Sequence, residues 1–357
     1  MSIAPNQTQR ILTGDTPTGK LHLGHWVGSI KRRVELQSSH DCFFILANMH
    51  AFTTRADQPE AIREDTLEIV RDLLCMGIDP EGASIFLQSE VPAIAELTFL
   101  FSMLLPFNRV MRNPTLNDEI KVKGLGENYP FGFPLYAVGQ TADILAFRPV
   151  GVPVGEDQVP HLELTREVAR RFNQKYCGVG DKVDDHDHVA EGGVFPVPLA
   201  DVGKVGRLVG IDGQNKMSKS LNNAIYISDT AKQVQKKVNK IFTGRQSPTE
   251  EGDPENILMQ YCEIFIPDAD RVDEIKRRYA AGDDIGDGHI KQELGAAINE
   301  MLEPMRERRA GIEGDDATVI DILKSGTSRA NAIAEETLAM AKEAAGLGYF
   351  KRQLELD

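Results

Sequence analysis

The chain has 357 residues, 41% of them apolar and 26% charged, with a formal net charge of −14. That suits a soluble globular protein with room for two domains and a sizeable core. The acidic balance argues against non-specific coating of nucleic acid and against an anionic membrane surface, although a local basic face can still carry a nucleic-acid partner.

Leu12–His25 (LTGDTPTGKLHLGH) reads as a first strand, a tight turn and the opening of a helix. Such a junction suits phosphate, because helix N-terminal amides and a side-chain-free backbone approach an anion. Gly14 and Gly19-Lys20 have the spacing of a phosphate loop, but Leu21 stands where Ser or Thr should hold magnesium, and Pro17 removes an amide. No G-x-G-x-x-G follows, so neither an ordinary ATPase loop nor a standard dinucleotide fold is expected.

Cys42–Asn48 (CFFILAN) is a candidate buried parallel strand, with His50 just past it, where open α/β sheets place ligands. His50 is equally readable as a polar loop residue. Asp57 and Glu60 form a D-x-x-E capping pattern around Pro59. The following helix has an apolar face of Ile62, Ile69, Val70, Leu73 and Leu74, ended by Gly77. Ala83–Gln88 is the next strand, so the order is βαβ and the sheet parallel.

Ile94–Leu105 reads as an apolar helix stopped by Pro106, and residues 107–124, broken by Pro114 and Gly124, as a charged, locally basic surface excursion. Tyr136–Phe147 reads as a helix that Gly139 weakens. Tyr136, Gln140 and Asp143 share one of its faces, pointing either into a pocket or to solvent. Val150–Val154 is a short strand followed by Gly155-Glu156-Asp157-Gln158, a second ligand edge, then by a helix from His161. Residues 178–213 look loop-rich. DKVDDHDH within them is too dense for a defined coordination sphere and reads as a solvated loop, so no metal site is assigned. Lys216–Ser220 is KMSKS, whose two lysines can bring mobile charge to a polyphosphate.

From Ser228 the texture is helical. Lys232, Lys236 and Lys240 alternate with packed Val234, Val238 and Ile241. Further helices are expected at Glu255–Phe265, Ala269–Ala280, His289–Arg309, Asp316–Leu323 and Ser328–Ala345. The basic clusters Lys276-Arg277-Arg278 and Arg306, Arg308, Arg309 either meet phosphates or only solvate their helices. Cys42, Cys75, Cys177 and Cys262 show no C-x-x-C spacing and read as reduced thiols. MSIAPNQTQR lacks a signal peptide's apolar core, and no stretch is long and apolar enough to span a membrane. A cytoplasmic location, away from membranes, is therefore expected.

H-L-G-H followed far downstream by KMSKS, with TADIL, VPVGEDQ and HLELTREVARRFN between them, resembles the tryptophanyl branch of the class I aminoacyl-tRNA synthetases. The resemblance covers nearly the whole chain, from Ile11 to Gly348. It implies a Rossmann-like α/β catalytic domain over 1–225, completed by a C-terminal helix 328–346. It also implies an all-helical anticodon-binding domain over 226–327, with 347–357 as a tail. The implied reaction joins L-tryptophan to tRNA(Trp) through tryptophanyl-AMP, with ATP as substrate, Mg²⁺ as cofactor and a homodimer as the working unit.

By the same resemblance, His22, His25, Lys216 and Lys219 are catalytic. Thr16, Pro17, Thr18, Gly24, His25, Gly155, Glu156, Asp157, Leu208, Lys216, Met217, Ser218, Lys219 and Ser220 bind ATP. Asp143, Tyr136, Gln140, Gln158, His50 and Ala47 bind tryptophan, Asp143 by accepting the indole N–H. His25 stands where many tryptophanyl relatives have asparagine, Thr16 where glutamine is frequent, and Gln140 where methionine is common. The segment 181–195 and the tail leave room for an additional protein partner. The competing readings are a tyrosyl-tRNA synthetase, a synthetase-like regulatory or RNA-binding protein, and a metabolic enzyme that only uses activated tryptophan.

Overall fold

Five short strands carry the architecture: β1 (Arg10–Asp15), β2 (Asp41–Leu46), β3 (Ala83–Leu87), β4 (Gly151–Val154) and β5 (Leu199–Val202). All neighbouring pairs are parallel, in the order β3-β2-β1-β4-β5. The computed structural model of the chain describes residues 9–202, 208–219 and 221–350. β1 and β2 align from Arg10 opposite Asp41 to Asp15 opposite Leu46. The strand order reverses between β1 and β4. That switch point opens a crevice at the carboxyl ends of the strands, the general ligand position of such sheets.

Alternate residues of each strand face opposite sides, as a pleat of period two requires. Ile11, Cys42, Phe44, Leu46 and Ile85 enter one core. Leu12, Phe43, Ile45 and Phe86 enter the other. The first core continues without a break into the helical C-terminal part, through Val234, Tyr261, Leu294 and Leu302.

After β1 the chain forms a short helix α1 (Leu23–His25), a π-helical turn over Trp26–Ile30 and α2 (Lys31–Leu36). α3 (Asn48–Arg55) and α4 (Pro59–Cys75) follow β2. The expected apolar face of α4 is present, with Ile62, Ile69, Val70 and Leu73 buried. Its D-x-x-E cap is not formed. Gln58 is the N-cap, no side chain caps the helix, and Pro59 starts it.

The stretch read as a surface excursion instead holds α6 (Phe107–Met111) and α7 (Pro114–Val122), after α5 (Pro92–Ser102). Pro114 initiates α7 rather than breaking it, because Asn113 caps the Thr115 and Leu116 amides. α8 (Gly132–Leu145) precedes β4, and α9 (Val159–Cys177) follows it.

Two readings of residues 178–213 change. Leu199–Val202 is a fifth strand on β4. The DDHDH loop is anchored as well as wet. Asp185 receives Arg166 at 2.6 Å and Arg170 at 2.6 Å, and buried His188 lies 3.2 Å from the Asn173 amide nitrogen. Asp184, His186 and Asp187 beside them are exposed.

The C-terminal helices are α10 (Ala231–Val238), α11 (Ile257–Phe265), α12 (Ala269–Ala281), α13 (Asp287–Ala310) and α14 (Asp316–Ala344). The two segments read at 316–323 and 328–345 are therefore one helix. It shields the outer edge of β3, where Thr327 Oγ1 accepts the Leu87 amide at 3.2 Å and Gly326 lies against the Ile85 backbone. No helix among the described residues is long and apolar enough to cross a membrane.

Candidate active site

The first signature is built where β1 ends. Thr16, exposed, and Pro17, buried, follow Asp15 at the crevice. Arg55 braces this turn by donating to the Pro17 carbonyl at 2.8 Å and to Asp65 at 2.7 Å. Arg33, almost wholly buried, donates to Asp15 at 2.5 Å. Leu21 is held from both sides: its amide donates to Asp72 Oδ2 at 2.7 Å, and its carbonyl accepts the Ile227 amide at 3.1 Å.

His22 is the N-cap of α1. Its backbone amide donates to His25 Nδ1 at 3.1 Å, and the two rings lie 3.8 Å apart. Burial, with Lys219 and Lys216 adding repulsion, lowers His22 to about 2 and His25 to about 3. Both are therefore neutral hydrogen-bonding groups at working pH. His22 Nδ1 is buried with no hydrogen-bond partner among the described residues. A buried polar atom without a partner is costly, and an incoming ligand group can satisfy it.

The second signature folds onto the first. A methyl group added at Gly24 would stand 3.5 Å from Met217 Cβ. Met217 is buried, its amide donating to the Leu208 carbonyl at 3.1 Å, and Lys216 bridges to Val209. Asn223 pins the loop: its Oδ1 accepts the Ser218 amide at 2.7 Å, and its Nδ2 donates to Asp212 at 2.9 Å. Lys219 reaches across the crevice to Thr18 Oγ1 at 3.4 Å. Burial lowers its ammonium to about 8. The carboxylates acting on it, Asp65, Asp72 and Asp15, are already engaged by Arg55, Arg309 and Arg33. These residues therefore make no carboxylate cage for Mg²⁺, which usually keeps waters and rides on substrate phosphates.

On α8, Asp143 is buried and its carboxyl is pushed up to about 7 by desolvation. Gln88, just past β3, donates to both Asp143 oxygens at 2.8 and 3.0 Å. The other end of Gln88 accepts the Met49 and His50 amides at 3.1 and 3.2 Å, so the amide is oriented at both ends. His50 Nδ1 lies 3.5 Å from Asp143 Oδ2, and burial lowers His50 to about 4, leaving it neutral. A Cβ at Gly139 would fall 2.7 Å from His50 Nε2. The glycine that weakens α8 is therefore the one that admits the His50 ring. The Tyr136 hydroxyl lies 3.1 Å from His161 Nε2, Gln140 donates to Gln158 at 3.4 Å, and Ala47 ties its amide to the Asp15 carbonyl at 2.9 Å.

The structure thus gathers the proposed residues around one crevice. Thr16, Pro17, Thr18, His22, Gly24 and His25 follow β1, and Leu208 and Lys216 to Lys219 close over them. His50, Tyr136, Gln140, Asp143 and Gln158 form the neighbouring polar group, Ala47 follows β2 beside the Asp15 carbonyl, and Gly155 and Glu156 follow β4. Ser220 and the Asp157 side chain lie outside what is described. Gln88, Arg33, Arg55, Asp72 and Asn223 were not singled out from sequence. The basic clusters are largely engaged within the chain: Lys276 pairs with Glu255 and Glu263 at the surface, Arg308 donates to the Cys75 carbonyl of α4, and only Arg309 is buried, against Asp72 of α4.

The profile of the class I tRNA synthetases (W and Y) matches residues 4–303. A tryptophan–tRNA ligase of Treponema pallidum is 44% identical over 347 residues, covering 95% of this chain and 97% of that protein. The tryptophan–tRNA ligase of Lactococcus lactis is 41% identical over 350 residues, covering 96% of this chain and 98% of its own. Among solved structures, the tryptophanyl-tRNA synthetase of Campylobacter jejuni complexed with ADP and tryptophan superposes with a TM-score of 0.79. It is 31% identical, covering 95% of this chain and 100% of that one.

Proposed function

The chain belongs to the class I tRNA synthetases of the tryptophan and tyrosine group, and from that premise we infer that it is the enzyme that joins L-tryptophan to tRNA. The observation that carries the chemistry is the closure of the KMSKS loop on the H-L-G-H turn, Lys219 beside Thr18, with the Asp143 group next to it. Near-full-length similarity to tryptophan–tRNA ligases supports tryptophan over tyrosine.

In the first step the tryptophan carboxylate attacks the α-phosphorus of ATP and pyrophosphate leaves. The nucleophile is already charged, so the protein's work is placement and charge stabilisation. Neutral His22 and His25 are placed to hydrogen-bond phosphate oxygens. Lys219 and Lys216 neutralise charge growing on the leaving pyrophosphate. Mg²⁺, when bound to the polyphosphate, would supply further neutralisation of the same charge. A ribose hydroxyl of the 3′-terminal adenosine of tRNA(Trp) then attacks the adenylate carbonyl, forming the tryptophanyl ester as the mixed anhydride breaks and AMP leaves.

Asp143 supplies selectivity. Indole offers one donor and no acceptor, so an oriented carboxylate in a buried slot rewards tryptophan, and phenylalanine's ring would leave that carboxylate without its substrate donor. Tyr136 and Gln158 stand where they can receive the ammonium group. The exposed apolar side chains of Phe99 on α5, Met103 just past its end and Phe107 at the start of α6 support a homodimer through the catalytic region. The helical part from α10 through α13 is assigned to the anticodon, with the single helix α14 returning along β3 to the catalytic part and the cytoplasm as the place of work.

Pyrophosphate exchange with tryptophan and tyrosine side by side tests the substrate. Tryptophan-dependent exchange is expected, and a preference for tyrosine would overturn the assignment.

A further inference from the structure

Asp72 lies in the last turn of α4 and is 0% exposed, yet it carries a carboxylate. Its two oxygens are divided. Oδ2 accepts the Leu21 amide at 2.7 Å, and Oδ1 accepts the Arg309 guanidinium at 2.5 Å. Leu21 is the residue before His22, and its other backbone group is held by Ile227. Arg309 comes from the last turn of α13, in the helical part of the chain, and also binds Glu68 at 2.6 Å. Arg308 beside it donates to the Cys75 carbonyl at 2.7 Å.

A buried carboxylate needs a partner, and here the partner arrives from a different part of the chain. Burial already pushes the Asp72 carboxyl up to about 6 with Arg309 in place. Withdrawing the guanidinium would push it further, and a proton would then replace the cation. The Leu21 amide would lose its charged acceptor, and with it the fixed point from which His22 hangs. A shift of about 1 Å in a phosphate-facing group costs on the order of a hundredfold in rate.

We propose that Asp72 is a positioning residue for the activation step: shared between the Leu21 amide and Arg309, it sets the H-L-G-H turn only while α13 is docked on α4. This rests on the ligase reading. It adds a link from the helical part to the phosphate site that does not pass through the substrate.

The test uses the full chain with Arg309→Met, Asp72→Ala, Arg309→Lys and, as a control, Asp316→Asn. Asp316 also joins the helical part to α4, through Arg71, without touching Leu21. Single-turnover adenylate formation and tryptophan binding are measured well below each variant's Tm. Hydrogen exchange of the Leu21 amide is read in the same proteins.

Arg309→Met and Asp72→Ala should slow adenylate formation about tenfold or more, with tryptophan affinity within about twofold. Both should speed exchange at Leu21. Arg309→Lys should recover most of the rate, and Asp316→Asn should retain it. An Arg309→Met rate within about twofold of the parent, or an equal loss in Asp316→Asn, would overturn the proposal. A parent chain that makes no adenylate would instead remove the ligase reading, and Leu21 exchange would still decide the link.

Discussion

Gln88 gives the sharpest energetic prediction. Its side-chain nitrogen donates to both Asp143 oxygens at 2.8 and 3.0 Å inside a buried group, while Asp143 is already pushed up to about 7. Gln88→Met keeps the length and removes the donor to Asp143, together with the acceptor of the Met49 and His50 amides. A hydrogen bond to a charged group contributes about 1.5–3 kcal/mol, and one pKa unit corresponds to about 1.4 kcal/mol. Asp143 should therefore rise by about one to two further units and stand protonated at pH 7.5.

Tryptophan must then ionise the carboxyl before its indole N–H meets a full acceptor. Its affinity should fall about tenfold to a hundredfold, with the KM for ATP little changed. Equilibrium binding and pyrophosphate exchange over a tryptophan series read this directly. Raising the pH toward 9 should recover part of the loss, because it restores the ionised form. A tryptophan affinity within about threefold of the parent, or a loss that pH does not relieve, would refute the reasoning.

Three further outcomes are expected. Lys219→Ala should lower adenylate formation far more than tryptophan binding, and equal small effects in exchange and binding would remove its role. The Lys219 ammonium is lowered to about 8 and is needed charged, so kcat/KM for ATP should fall as pH rises through about 8 in the parent. Bound polyphosphate favours the charged form, so the corresponding fall in kcat should lie at higher pH. Gly139→Ala puts a methyl group 2.7 Å from His50 Nε2. It should destabilise the chain by about 1–3 kcal/mol and weaken tryptophan binding, as thermal unfolding and titration would show.

The parts of this fold that are local were legible in the sequence. CFFIL and ASIFL are short apolar runs around a helix of clear period, so the parallel βαβ order follows from pattern alone. The two signatures also stand out, since each is a contiguous string. β5 was not legible, because Leu199–Val202 is four residues long and none of them is fully buried. Its strand character comes from pairing with β4. Pro114 reads as a breaker until Asn113 is seen capping the same turn.

The supporting residues of the site were hidden for a different reason. Gln88 meets Asp143 across 55 positions, and Arg309 meets Asp72 across 237. Neither pairing leaves a spacing in the chain to detect. The sequence left Arg308 and Arg309 to meet phosphates or to solvate their helix, and only tertiary packing shows that Arg309 is buried against α4. A single residue can also carry two opposed signals. Gly139 lowers helix propensity locally, and its reason is the His50 ring on another helix.

Aminoacylation of tRNA(Trp) by the full chain tests the central claim most directly. With tryptophan, ATP and Mg²⁺, charged tRNA should accumulate, and tyrosine should not replace tryptophan. A chain that binds tryptophan and ATP but yields no tryptophanyl-tRNA(Trp) would contradict the account.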